Sequence, residues 1–307
     1  MKKLLLLLAC NLLLISTFQV NAQKDNRTNS TRIADVLAQL PAKNEANLKT
    51  AMKEMEGLGE VGLMQLPQQM VPGGNADNSK LEYAIMGYTA YVSGKGREAL
   101  KRSAESAWCK SASMLKDKKH VSFLLSMLEI IGTDQSIDCI TPYLNDGALS
   151  LKATATLASI GTAKAGETLT SALSSSSAPK YAVLQALGEM RFAGSLKAIA
   201  GFISSNDIKT KEAALYALAQ IANPSSAEIL LNETRTAGTL YGNKDATARY
   251  ASYIGNLNTN GQSKVAGDLA TAFYNTSATS NVFTKTAALG SVVKLEKGQA
   301  IKLLVKA

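Results

Sequence analysis

A single histidine, His120 in the stretch DKKHVSFLL, is the one imidazole this 307-residue chain has for acid–base or metal chemistry. It stands beside lysines at the start of an expected helix. General base catalysis and metal binding both need partners placed around the ring, so the residue type and setting point to a solvated or capping histidine. The carboxylates Glu54 and Glu56 are two apart and fall on different faces of a helix, which separates them as an acid–base pair. No phosphate-binding glycine loop, no Gly-x-Ser-x-Gly elbow and no His-Glu-x-x-His helix occurs,. These absences lead to the expectation of no catalytic residue, no cofactor and no metal in the chain, which is expected not to be an enzyme.

The densest charge lies at 97–119, REALKRSAESAWCKSASMLKDKK, with seven Lys or Arg against three acids. Glu98 with Arg102 and Lys101 with Glu105 are four apart, the spacing of ion pairs on a wet helical face. Interleaved aromatics for base stacking are missing, so nucleic acid is not an expected partner. Trp108 sits at an apolar helical position and is expected in the core rather than as a sugar platform. The ends give an address. MKKLLLLLACNLLLISTFQVNAQ places two lysines before an apolar run that stops at Val20-Asn21-Ala22, the pattern of a secretory signal peptide over 1–22,. Cleavage there would leave no transmembrane segment and export the chain to the periplasm or beyond. Losing Lys2 and Lys3 lowers the formal charge of +9 by two, a modest excess,. Cys10 leaves with the leader, and Cys109 and Cys139 remain. An even count in an oxidising compartment permits a disulfide between successive repeats, with two buried free thiols as the alternative.

What elements would position such residues follows from a repeated pattern. KYAVLQALGEMR at 180–191 and KEAALYALAQIA at 211–222 match at Lys180 with Lys211, Ala182 with Ala213, Ala186-Leu187 with Ala217-Leu218 and Met190 with Ile221. Those offsets return to one face of an α-helix. The column Ile131, Ile160, Met190, Ile221 steps by 29, 30 and 31, and a second column nine residues later reads Ile140, Leu169, Ile199, Leu230. Each unit is therefore expected to be a helical hairpin whose two columns mark the core. The small residues at 182, 186, 213 and 217 mark close approach of neighbouring helices. Weaker copies fill the rest, which predicts about eight hairpins over 44–307, most regular at 118–236, after a polar segment and lead-in helix at 23–43. The fold class is all-α: a right-handed α-solenoid.

The stretch KEAALYALAQIANPSSAEILLNE resembles the HEAT family of α-solenoids, and the likeness is strongest over 118–236. The chain from RTNSTRIADVLAQLPA through EYAIMGYTAYVSGKGREALKR is similar to the amino-terminal HEAT region of secreted Bacteroidetes proteins, which often carry a second domain, a 3-keto-disaccharide hydrolase. No residue here matches that second domain. The resemblance implies a secreted, non-catalytic scaffold or binding module whose concave surface, made mainly by second helices, takes a protein or glycan partner. The alternative it leaves is an amino-terminal leader of a larger glycan-degrading protein whose hydrolase domain lies beyond this chain.

Overall fold

The computed structural model describes residues 26–73, 77–174, 177–236 and 240–295, together with Gly298 and Ile301. The expected signal peptide lies outside them. Every regular element among the described residues is helical.

A lead-in helix α1 (Asn29–Ala38) precedes α2 (Glu45–Glu56) and α3 (Gly59–Gln68), α4 (Ser79–Val92) and α5 (Glu98–Met114), and α6 (Lys118–Ile131) with the short α7 (Ile137–Ile140). Then come α8 (Ser150–Ile160) and α9 (Ala163–Ala172), α10 (Lys180–Glu189) and α11 (Leu196–Ala200), α12 (Ile208–Ile221) and α13 (Ala227–Thr236), α14 (Leu240–Thr259) and α15 (Ser263–Thr276), and finally α16 (Val282–Leu295). The first helices α2, α4, α6, α8, α10, α12, α14 and α16 stack in that order, each on the next, and α3, α5, α7 and α9 form a parallel row of second helices. Packing between sequence neighbours only is the defining property of an α-solenoid.

Side-chain caps explain where the helices start. Asn44 accepts from the Asn47 N–H at 2.9 Å, Thr162 from Ala165 at 3.3 Å and Asp207 from Thr210 at 3.2 Å, each meeting one of the orphan donors of a first turn,. The second helices are less regular than their apolar columns suggest. In two units they shrink to α7 and α11. Pro142 follows α7 and has no N–H for an α-turn, so the chain continues as a 3₁₀ segment, Thr141–Asn145,.

The repeat markers pack as a spine. Ile131, Ile221, Ile140, Leu169, Ile199 and Leu230 are buried, whereas Ile160 and Met190 are half-buried against the core. Met190 caps α10, and the chain turns away directly after it. That turn recurs: the residue after the marker is left-handed in three successive units, at Gly161 (φ 70°), Arg191 (φ 51°) and Ala222 (φ 51°). Only the first has the residue type that adopts this conformation freely. Arg191 is exposed. Arg191→Gly is therefore expected to raise stability by roughly 0.5 kcal/mol, the left-handed penalty of about 1–2 kcal/mol less the extra chain freedom glycine loses on folding. A urea titration with no gain in midpoint would refute this.

Helices α10 and α12 approach closely. A Cβ on Gly188 would lie 2.7 Å from the Ala217 Cα, so the absent side chain is what lets these two helices meet. The apolar interior is anchored by Trp108, Tyr88, Tyr250, Tyr253 and Phe273, all essentially without solvent exposure. The Trp108 indole N–H donates to Thr89 Oγ1 at 3.1 Å, so its polar edge is satisfied inside the core,.

Candidate binding groove

Two groups that the sequence places on wet surface are interior ties. Glu105 is 2 % exposed. Its Oε1 accepts from the Thr133 N–H at 2.7 Å, the Thr133 hydroxyl at 2.8 Å and the Ser136 hydroxyl at 2.5 Å, while Oε2 is buried without a hydrogen bond. The expected Lys101–Glu105 surface pair is thereby replaced: Glu105 reaches from α5 to seal the turn of the next unit. Four residues on, Cys109 is joined to Cys139 by a disulfide with Cα atoms 5.7 Å apart, so the same two units are held twice.

His120 is likewise buried, not solvated. Asn78 holds both backbone groups of Val71, its Oδ1 accepting from the N–H and its Nδ2 donating to the carbonyl, each at 2.9 Å. The second proton of that amide then faces His120 Nε2 at 3.3 Å, which makes the ring nitrogen the acceptor,. Asn78→Ala would leave Val71 and His120 without these partners and is expected to cost roughly 2 kcal/mol. Equilibrium unfolding in urea measures it, and a loss below half that value would show the latch to be dispensable. Glu54 and Glu56 also serve separately. Glu54 pairs with Arg27, and Glu56 accepts the Tyr91 hydroxyl at 2.6 Å. Among the described residues no group of three His, Cys, Asp or Glu could hold a metal ion.

Solvent-facing side chains converge on both rows: a cavity of about 230 Å3 is lined by Leu231, Thr234 and Arg235 of α13 with Phe273 and Thr276 of α15, and larger ones lie on first helices. Tyr181 and Gln185 of α10, Lys209, Glu212, Ala213 and Tyr216 of α12, and Arg249 of α14 line a cavity of about 410 Å3. Stacked first helices present successive faces to one side, and Ala213 keeps the space between them open. The Lys209 ammonium lies 3.5 Å from the Tyr181 ring centroid, a cation–π contact,. Arg249 forms an ion pair with Glu212, the guanidinium side chain 14 % exposed and the carboxylate side chain 48 %. Burial, with the Glu189 charge beside it, pushes the Tyr216 hydroxyl above the usual tyrosine range, so the phenol stays protonated and can donate. Gln185 donates to Glu189 at 2.9 Å, which leaves its carbonyl as an acceptor.

A second cavity, about 420 Å3, opens between α2 and α4. There Arg97 covers the Tyr91 ring at 3.7 Å and donates to the Tyr91 carbonyl at 2.6 Å. A third, about 700 Å3, separates α14 from α16 and is lined largely by small residues, including Gly255 and Gly290. The sequence-based expectation placed the binding surface mainly on second helices; the α13–α15 cavity is on that row, and these three larger ones are on the other. None of the groove residues belongs to the repeat markers, which all serve packing.

No family model matches the chain, and no curated protein matches it. Among solved structures it is similar to an engineered protein (14% identity, TM-score 0.40, covering 87% of this chain and 78% of that one). It is also similar to a Kap121p mutant at 12% identity and a TM-score of 0.45, covering 92% of this chain and 39% of that one. A second engineered protein aligns at 14% identity with a TM-score of 0.24, over 87% and 97% of the two chains. The assignment to the α-solenoids rests on this chain's own helix order and packing. Among the described residues no helix is long and apolar enough to cross a membrane.

Proposed function

We propose that this chain is an exported, non-catalytic binding module of HEAT type, related to the amino-terminal region of secreted Bacteroidetes proteins, with its ligand surface on the first helices. The observation that carries the reading is the groove on α10, α12 and α14, where aromatic, cationic, amide and carboxylate groups from three successive units share one solvent-accessible cavity. Its carboxylate is committed to Arg249, which suits holding a ligand better than transferring a proton. Export is supported by the leader pattern of 1–22 and by the Cys109–Cys139 bond, which persists in oxidising compartments,.

The test is to incubate the purified chain with neutral and acidic oligosaccharides, 3-keto disaccharides and acidic and basic peptides, following thermal shift and product formation together. A shift without turnover, reduced by Tyr216→Ala, is the expected result. Turnover abolished by Glu212→Gln would overturn the non-catalytic reading, and no shift with any probe would overturn the binding reading.

A further inference from the structure

The three larger cavities differ in the cations they offer. The α2–α4 cavity also offers two cations, Lys49 and Arg97, with one carboxylate, Glu45, but its Arg97 is turned onto the Tyr91 carbonyl; the α14–α16 cavity has no aromatic side chain in its lining. The groove on α10, α12 and α14 holds two cations, Lys209 and Arg249, against one carboxylate, Glu212. Lys209 makes no close ion pair among the described residues; its ammonium sits on the Tyr181 ring, with the Asp207 charge nearby,. Arg249 places one nitrogen on Glu212, and a guanidinium carries five N–H donors in a fixed fork, so donors remain for a planar anion,.

From this geometry we infer that the groove binds a carboxylate-bearing sugar, a uronic acid unit within an oligosaccharide; the inference rests on the binding-module reading above. The anion accounts for only part of the lining. The half-exposed Glu212 carboxylate, the Gln185 carbonyl and the two tyrosine hydroxyls are acceptors, and they call for several donor hydroxyls close to the anion. An inorganic anion such as hydrogen phosphate brings one or two and no ring to space them. An acidic peptide brings a single backbone N–H per residue, fewer donors than the hydroxyls of one sugar ring. A sugar acid carries its carboxylate and a ring of hydroxyls on one rigid frame, and about 410 Å3 is at the size of cavities that hold small ligands,. Tyr181 and Tyr216 then supply apolar walls for the C–H faces of the ring.

Calorimetric titration of the full chain tests this with four probes: trigalacturonic acid, neutral galactotriose, triglutamate and inorganic phosphate. Trigalacturonic acid should bind most tightly, more weakly as salt rises, and about tenfold more weakly after Lys209→Met, a change that keeps the side-chain stem over Tyr181. Arg249→Lys should weaken it as well, since a point charge replaces a two-donor fork; retention of the far-ultraviolet helix signal separates that loss from misfolding. Equal binding of galactotriose would overturn the acid preference and leave the binding module standing. Tighter binding of triglutamate or of phosphate would overturn the sugar reading, and so would uronate binding indifferent to both substitutions. If no probe binds, the inference fails, and the wider panel of oligosaccharides and peptides then decides whether the module reading fails with it.

Discussion

Glu105→Ala is expected to lower the free energy of unfolding by roughly 3–5 kcal/mol, well above the loss of an ordinary hydrogen bond. The carboxylate is 2 % exposed and one of its oxygens serves two hydroxyls and a backbone N–H of the following unit. Truncation leaves the Thr133 N–H and the Ser136 hydroxyl in an interior that water reaches poorly, and it opens a cavity the size of the lost side chain. Glu105→Gln keeps an acceptor oxygen and should retain much of the lost stability. Urea unfolding followed by helix signal measures both variants. A loss below about 1 kcal/mol for the alanine variant would mean the turn at Thr133 finds other partners and that Glu105 is not the seal between units.

Opening the Cys109–Cys139 bond, by Cys109→Ala with Cys139→Ala, is expected to cost roughly 3–4 kcal/mol, the loop-closure entropy of about thirty residues in the unfolded chain,. The effect should be largest on the units carrying α4 to α7, because a solenoid transmits stability chiefly between neighbours. Native-state hydrogen exchange shows this directly: amides of α5 and α6 should lose protection while those of α14 and α15 keep theirs. Uniform loss along the chain would contradict nearest-neighbour coupling. Alkylation without reduction followed by mass spectrometry checks the bond itself; two labelled thiols would refute it.

The hairpin architecture was legible because it is periodic. Ile131 and Ile221 stand 29 and 31 residues from their neighbours in the column, and each must fill the same place in a repeated packing layer. The small positions were legible for the same reason, although one of them, Gly188, falls outside the matched letters and is met only as a contact with Ala217. Glu105 was misread because four-residue spacing to Lys101 suggests a surface pair. The corrective signal was present: Glu105 lies on the same stripe as Trp108, Cys109 and Ala112, so a charge there belongs to the apolar face and needs interior partners. The groove was legible only in part. Tyr181 with Glu212 and Gln185 with Tyr216 are thirty-one residues apart, one repeat step, but Arg249 follows Glu212 by 37 positions rather than the 29 to 31 of the regular column, so no periodic comparison adds it to them.

The seals between units differ in kind. From the amino-terminal side Glu105 and Cys109 reach forward onto Thr133, Ser136 and Cys139. From the carboxyl-terminal side α14 reaches back: the Tyr253 hydroxyl, Asn256 and Asn260 donate to the carbonyls of Asn223, Ala219 and Ile221, the last acceptors of α12 and its turn,. The Arg191 guanidinium answers from the central side with a bond to Asn260. Pulled from its ends, such a filament should part where only noncovalent contacts cross a boundary, at α12–α14, before it parts where a covalent link does, at Cys109–Cys139. The groove takes Arg249 from α14 and so straddles the weaker boundary, where a bound ligand would act as a strut.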